Sequence, residues 1–195
     1  LNPYAAVDIR GSAGGTVAIL EEGTGRLLGS AGAGQAPATV HPGAVYLHQG
    51  RAWQVVDLDR DRHVATVEPA SGDQYTQPRS ETTIALLDVD DRRAVGASTL
   101  RLGAVEVTTQ VVGYRVRSTT SHELVATQEL ELPATHLSTR AVWYVFDDAV
   151  VDRAGISALD LPGALHAAEH AGIGILPLFT ICDRWDVGGI STAWL

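Results

Sequence analysis

The sequence contains no lysine; all 14 of its basic side chains are arginine. A Walker A loop sets a lysine on the nucleotide phosphates, and Schiff-base chemistry needs a lysine amine, so neither operates within these 195 residues. Methionine is absent as well, and there is one cysteine. A single thiol cannot close an internal disulfide, which points to a reducing, cytoplasmic setting. No apolar run reaches the ~18 residues that a membrane span requires. No basic segment leads into an apolar one at the start, so neither a signal peptide nor a membrane partner is expected. Leu1-Asn2-Pro3 is not a natural start and Trp194-Leu195 ends without a polar tail, so the sequence reads as a piece of a larger protein.

The chain is rich in apolar residues and acidic. Hydrophobic residues make up 45%, enough for a core and too many for a disordered chain. The net charge of -9 excludes a surface that is basic all round, so any nucleic-acid contact has to come from a local arginine patch.

Hydrophobic patterning predicts a mainly β (α+β) fold. A hairpin is expected over residues 7–31, with turn chemistry at Glu22-Gly23-Thr24-Gly25. A second is expected where Ala44 to His48 and Ala52 to Val56 flank Gln49-Gly50-Arg51. Strands so closely spaced, broken by Gly and Pro, predict a small β-barrel or SH3-like module over residues 1–92. Residues 93–195 are expected to form a second antiparallel β module followed by one packed helix. In that module Thr135 to Phe146 carries Leu137, Ala141, Trp143 and Val145 on one face. The helix has Asp160 as N-cap, Pro162 in its first turn and a stripe of Leu161, Leu165, Ala168 and Ala171.

Several patterns carry possible chemistry. His166, Glu169 and His170 match an H-x-x-E-H zinc-hydrolase signature, with both histidines on one side of the helix. Such a site needs a third ligand, and the alternative is a hydrogen-bonded histidine pair beside the core. Asp57, Asp59, Asp61 and Glu68 approach an EF-hand loop, but Arg62 replaces its turn glycine and the flanks read as strands, so an acidic hairpin turn is expected. Gly11 to Gly15 and Gly23-Thr24-Gly25 resemble phosphate loops but open no helix. Cys182 follows an apolar run and reads as an inert thiol. The run His41 to Gly50 is either a turn leading into a strand with Tyr46 in the core, or a binding face of His48, Gln49 and Trp53. Arg115, Arg117 and Arg140, with Tyr114, Trp143 and Tyr144 nearby in sequence, are candidates for an arginine-aromatic surface that contacts single-stranded DNA through phosphate pairing and stacking, with Arg115, Arg117, Arg140 and Trp143 foremost.

Taken together, four runs resemble one family. They are His41-Pro42-Gly43-Ala44-Val45-Tyr46-Leu47-His48-Gln49-Gly50, Val107 to Tyr114, Thr139-Arg140-Ala141-Val142-Trp143, and Pro162 to His170 continuing through Leu176-Pro177-Leu178-Phe179 to Cys182-Asp183-Arg184-Trp185-Asp186-Val187-Gly188-Gly189. They resemble the C-terminal region of the YprA-like superfamily 2 (DEAD/DEAH-box) DNA helicases, the mitomycin repair factor A and SftH family. The resemblance implies a non-catalytic accessory region of an ATP-dependent 3′-5′ helicase of DNA repair. Its partners would be single-stranded DNA and the motor and winged-helix domains of the same chain. ATP, Mg and a zinc-binding cysteine cluster are expected in other parts of the parent, and no cofactor or metal in this one. On the same reading the helix holding His166 and His170 is packed structure, and Leu176 to Phe179 and Trp194, without the cysteine cluster, are expected to be exposed apolar surface or to be covered by a second copy. A protein-interaction scaffold without DNA contact and a zinc hydrolase are the competing functions.

Overall fold

The computed structural model describes residues 15–182 and 187–193. The candidate loop residues Gly11 to Gly14, the start of the first hairpin, Asp183 to Asp186 and Trp194 lie outside the described residues. Strands dominate, with a half-barrel sheet, a second antiparallel sheet and a C-terminal helix.

The chain forms two compact units. The sequence reading divides it at 92/93; the contacts divide it at 82/83, 108/109 and 135/136. The reason lies in two long strands, Gln74–Leu86 and Ser98–Ser118, each of which supplies residues to both units.

The first unit holds β1 (Thr16–Glu21), β2 (Leu27–Gly32), a single helical turn α1 (Ala36–Thr39), β3 (Val45–His48), β4 (Arg51–Asp59) and β5 (Val64–Pro69). Their order in the sheet is β2-β1-β5-β4-β3. All neighbours are antiparallel except β1 and β5, which run parallel. The turn glycines behave as the sequence implies. Gln49 (φ 47°) and Gly50 (φ 76°) are both left-handed, as a two-residue type I′ hairpin requires. Gly23-Thr24-Gly25 is the β1–β2 turn, closed by Thr24 donating to Glu21 at 2.8 Å. Alternation puts Val17, Ile19, Trp53, Val55, Ala65 and Val67 into one core with Ala36, Val40 and Ala44. A bulge in β4 after Val55 reverses that alternation, so Leu58 rather than Asp57 packs towards the core. The acidic run beyond it is a hairpin turn in which the Asp59 carboxylate accepts the backbone N–H of Arg62 at 2.8 Å.

The other strands are β6 (Gln74–Leu86), β7 (Asp91–Val95), β8 (Ser98–Ser118), β9 (Leu124–Glu129) and β10 (Thr135–Phe146). The second sheet runs β10-β8-β6, with β7 and β9 paired to β8 as hairpins. Residues 74–82 and 109–118 of β6 and β8, with β9, belong to the first unit. The second unit takes the rest, with α2 (Asp148–Ala154), α3 (Leu161–Ile175) and a 3-10 turn at Leu176–Leu178. The short α2, not expected from the patterning, ends on Gly155 in the left-handed conformation (φ 65°).

Helix α3 forms where expected, but its inner stripe differs. The half-buried positions include Leu161, Leu165, Glu169 and Ile173, not Ala168 and Ala171, and none of its residues is fully buried. The cause is visible at Gly189, which lies against Glu169 and Ile173, so closely that a Cβ there would stand 2.8 Å from Ile173 Cδ1. The chain returning after the helix covers the Glu169 face.

Candidate functional site

Two of the resembling runs meet in the first unit. His41 is wholly buried and its ring centroid stands 4.6 Å from that of Tyr114. Its Nδ1–H donates to the Pro42 carbonyl at 3.0 Å, which leaves Nε2 as a buried acceptor with no partner among the described residues. Burial away from water holds its pKa below the ordinary imidazole value of 6.5, with the bond to Pro42 pulling weakly the other way. Gly43 (φ 83°) lies under the same tyrosine, and a Cβ there would run into the phenol oxygen. Gly113 lies so close to the Gln128 carbonyl of β9 that a Cβ would collide with it. These runs are therefore packing signatures: glycine lets Tyr114 and β9 approach.

The four candidate DNA-contact residues separate. Arg115 and Arg117 belong to the first unit, Arg140 and Trp143 to the second. Arg115 is exposed and has no ionic or hydrogen-bonding partner among the described residues. Arg117 is half-buried, donating from Nε to Gln77 at 2.9 Å and from Nη1 to the His122 carbonyl at 2.7 Å. Arg140 is exposed but ion-paired with Asp90 at 2.7 Å. Trp143 sits on the inward side of β10 with Ala141 and Val145, its indole N–H buried. Arg140 stands on the opposite face, with Val142, Tyr144 and Phe146. Tyr144 and Phe146 are exposed and stack at 5.9 Å, so they and not Trp143 are the aromatics that share a face with Arg140. Strand alternation alone could have shown this.

The histidine pair is exposed rather than set beside a core. The His166 and His170 rings meet edge to face at 4.5 Å, and His166 Nδ1 stands 3.5 Å from the Glu169 carboxylate. Among the described residues no group of three or more His, Cys, Asp and Glu side chains is arranged to hold a metal. Cys182 is a half-buried free thiol. No helix among the described residues is long and apolar enough to cross a membrane.

No protein-family model matches the chain. Over 194 residues, 97% of its length, it is 26% identical to the uncharacterized ATP-dependent helicase YprA of Bacillus subtilis. It is 22% identical over 183 residues to the ATP-dependent helicase HRQ1 of Saccharomyces cerevisiae. The chain is homologous to these helicases. It shares its fold with the DUF1998 helicase MrfA, solved bound to DNA, at a TM-score of 0.69 and 24% identity over 91% of this chain. It spans only a part of each of them: 25% of YprA, 17% of HRQ1 and 24% of MrfA. The expected resemblance to the YprA-like helicases thus stands along nearly the whole chain.

Proposed function

We propose that the chain is a non-catalytic accessory region, C-terminal in its parent, of an ATP-dependent 3′-5′ DNA helicase that acts in DNA repair. It contacts single-stranded DNA and braces the motor and winged-helix domains of the same polypeptide, in the cytoplasm. ATP and Mg belong to those motor domains, and zinc to another part of the parent. The observation that carries this reading is a similarity that runs along 97% of the chain and covers 25% of a helicase. The lack of any lysine supports it, because the phosphate-binding loop of the motor cannot then be within this piece.

Of the four arginine and tryptophan candidates, Arg115 is the one free to meet a phosphate. Arg117 and Arg140 would first have to give up their protein partners. Anisotropy of a labelled single strand, titrated with the 195-residue chain at low and moderate salt, tests the reading. Binding is expected at low salt, and Arg115→Ala should lower the slope of log affinity against log salt by about 0.7, the share of one phosphate on a single strand. A chain that leaves the strand free at low salt would sink the DNA role and favour the scaffolding alternative. The observation that favours scaffolding is the exposed apolar run of Leu178, Phe179 and Ile181.

A further inference from the structure

The first sheet curls until the Tyr46 side chain of one edge strand, β3, reaches the other, β2. Gly29 of β2 lies beneath Tyr46 of β3, where an added Cβ would stand 2.7 Å from the phenol oxygen. Next to that contact in both strands is a hollow of about 510 Å³. Arg26, His48, Gln49, Arg51 and Trp53 form its polar lining, and two leucines of β2 complete it. Every one of those polar side chains can donate a hydrogen bond, and no carboxylate among the described residues lines the space. In a chain with 23 acidic and 14 basic residues, that is a local reversal of sign.

The lining is built rather than accidental. The type I′ turn pairs His48 with Arg51 across the β3–β4 hairpin, so imidazole and guanidinium leave the same face. Arg26 is tied through Nε to Glu21 at 3.0 Å, which leaves its terminal nitrogens as donors. Its guanidinium carbon is held 5.9 Å from the centre of the Trp53 ring. The Arg51 guanidinium has no ionic or hydrogen-bonding partner among the described residues. Trp53 adds an independent observation: it lines the hollow and is 4% exposed, yet its indole N–H meets no acceptor among the described residues. A buried donor without an acceptor is unfavourable unless a ligand or water supplies one.

We propose that this hollow is a phosphate-binding subsite and that its occupant is the backbone of a single-stranded nucleic acid. The phosphate chemistry follows from the donor set. The choice of a strand over a free anion rests on the accessory reading above, and on exposed Leu27 in the lining, an apolar shelf for a sugar or base beside the phosphate.

The test uses the 195-residue chain labelled with ¹⁵N, titrated separately with an oligothymidylate and with inorganic phosphate. Both ligands should shift the Trp53 indole N–H. Arg51→Ala should weaken strand binding about five- to tenfold and lower the salt slope by about 0.7, with Arg51→Glu weaker still. Arg51 is exposed, so both variants should melt with the wild type. If strand binding depends on Arg115 but ignores both Arg51 changes, the subsite is wrong and the DNA role survives. If the strand does not bind at low salt while phosphate still shifts Trp53, the strand is overturned as occupant and the DNA role of the accessory reading fails with it. An indole N–H unmoved by either ligand overturns the site altogether.

Discussion

Nine side chains form one buried cluster in the first unit, whereas Val105 is the one buried hydrophobic among the described residues of the second unit. The second unit is not short of apolar residues. Val142 and Tyr144 on β10, Leu159 before α3, and Leu178, Phe179 and Ile181 after it are all exposed. Burial stabilises by roughly 25 cal/mol per Å² of apolar surface removed from water. The first unit gains that from its own strands. The second leaves these side chains exposed, and exposed apolar side chains are what a covering surface would bury. The accessory reading supplies such surfaces in the other domains of the parent.

The largest effect that could break the contrast is a core truncation. Ile19→Ala removes a side chain with no exposure from the centre of the cluster and should cost about 2–5 kcal/mol in urea denaturation. Phe179→Ala, at a residue 80% exposed, should stay within about 0.5 kcal/mol of wild type although more apolar carbon is lost. Comparable losses for the two variants would mean that the second unit has a core of its own.

A second pair turns on glycine. Gly43→Ala has to adopt a left-handed backbone and push Tyr114 aside, so a loss of about 1–3 kcal/mol is expected. Gly163→Ala, inside α3 where an added Cβ meets none of the described residues outside its own helix turn within 4 Å, should instead stabilise by roughly 0.5–1 kcal/mol. A neutral Gly43→Ala would show that the Tyr114 contact does not hold the first unit together.

The same contrast governs what the sequence could reveal. Hairpins were legible because their turn residues are local: Gln49-Gly50 and Gly23-Thr24-Gly25 announce their own geometry. The parallel pairing of β1 with β5 was not, since no local signal joins Thr16–Glu21 to Val64–Pro69. Strand β6 gives no clear strand pattern because it is polar and carries Pro78. As the edge of the β10-β8-β6 sheet it can tolerate a residue that donates no hydrogen bond. Helix α2 did carry signals, Asp147 before it and Gly155 after it, that would have found it. At the candidate site, the type and spacing of the arginines were legible. Which of them is free depends on Gln77 for Arg117 and Asp90 for Arg140, partners 40 and 50 residues away in sequence. His48, Gln49 and Trp53 could be read as a binding face from one hairpin. Arg26 joins them through the curl of the sheet, which the sequence does not display.

The smallest expected effect concerns pH, and it too separates the units, because the perturbed histidine lies under Tyr114 in the first. The His41 pKa is lowered in the folded state relative to about 6.5 in the unfolded chain. Between those two values the unfolded chain binds the proton and the native state does not, so stability rises with pH across that window. The contribution is complete above about pH 6.5 and is lost as pH falls towards the folded-state value. The physical cause is the buried Nε2, which on protonation would carry a proton and a shared charge with no acceptor in reach among the described residues. His41→Asn can still donate to the Pro42 carbonyl but cannot titrate. It should therefore be less stable at pH 8, through the volume it gives up, yet lose less than wild type between pH 7 and pH 5. Urea midpoints across that range decide the matter. Parallel acid slopes in the two proteins would mean that some group other than His41 sets the acid limb, and that the buried imidazole is accommodated charged as readily as neutral.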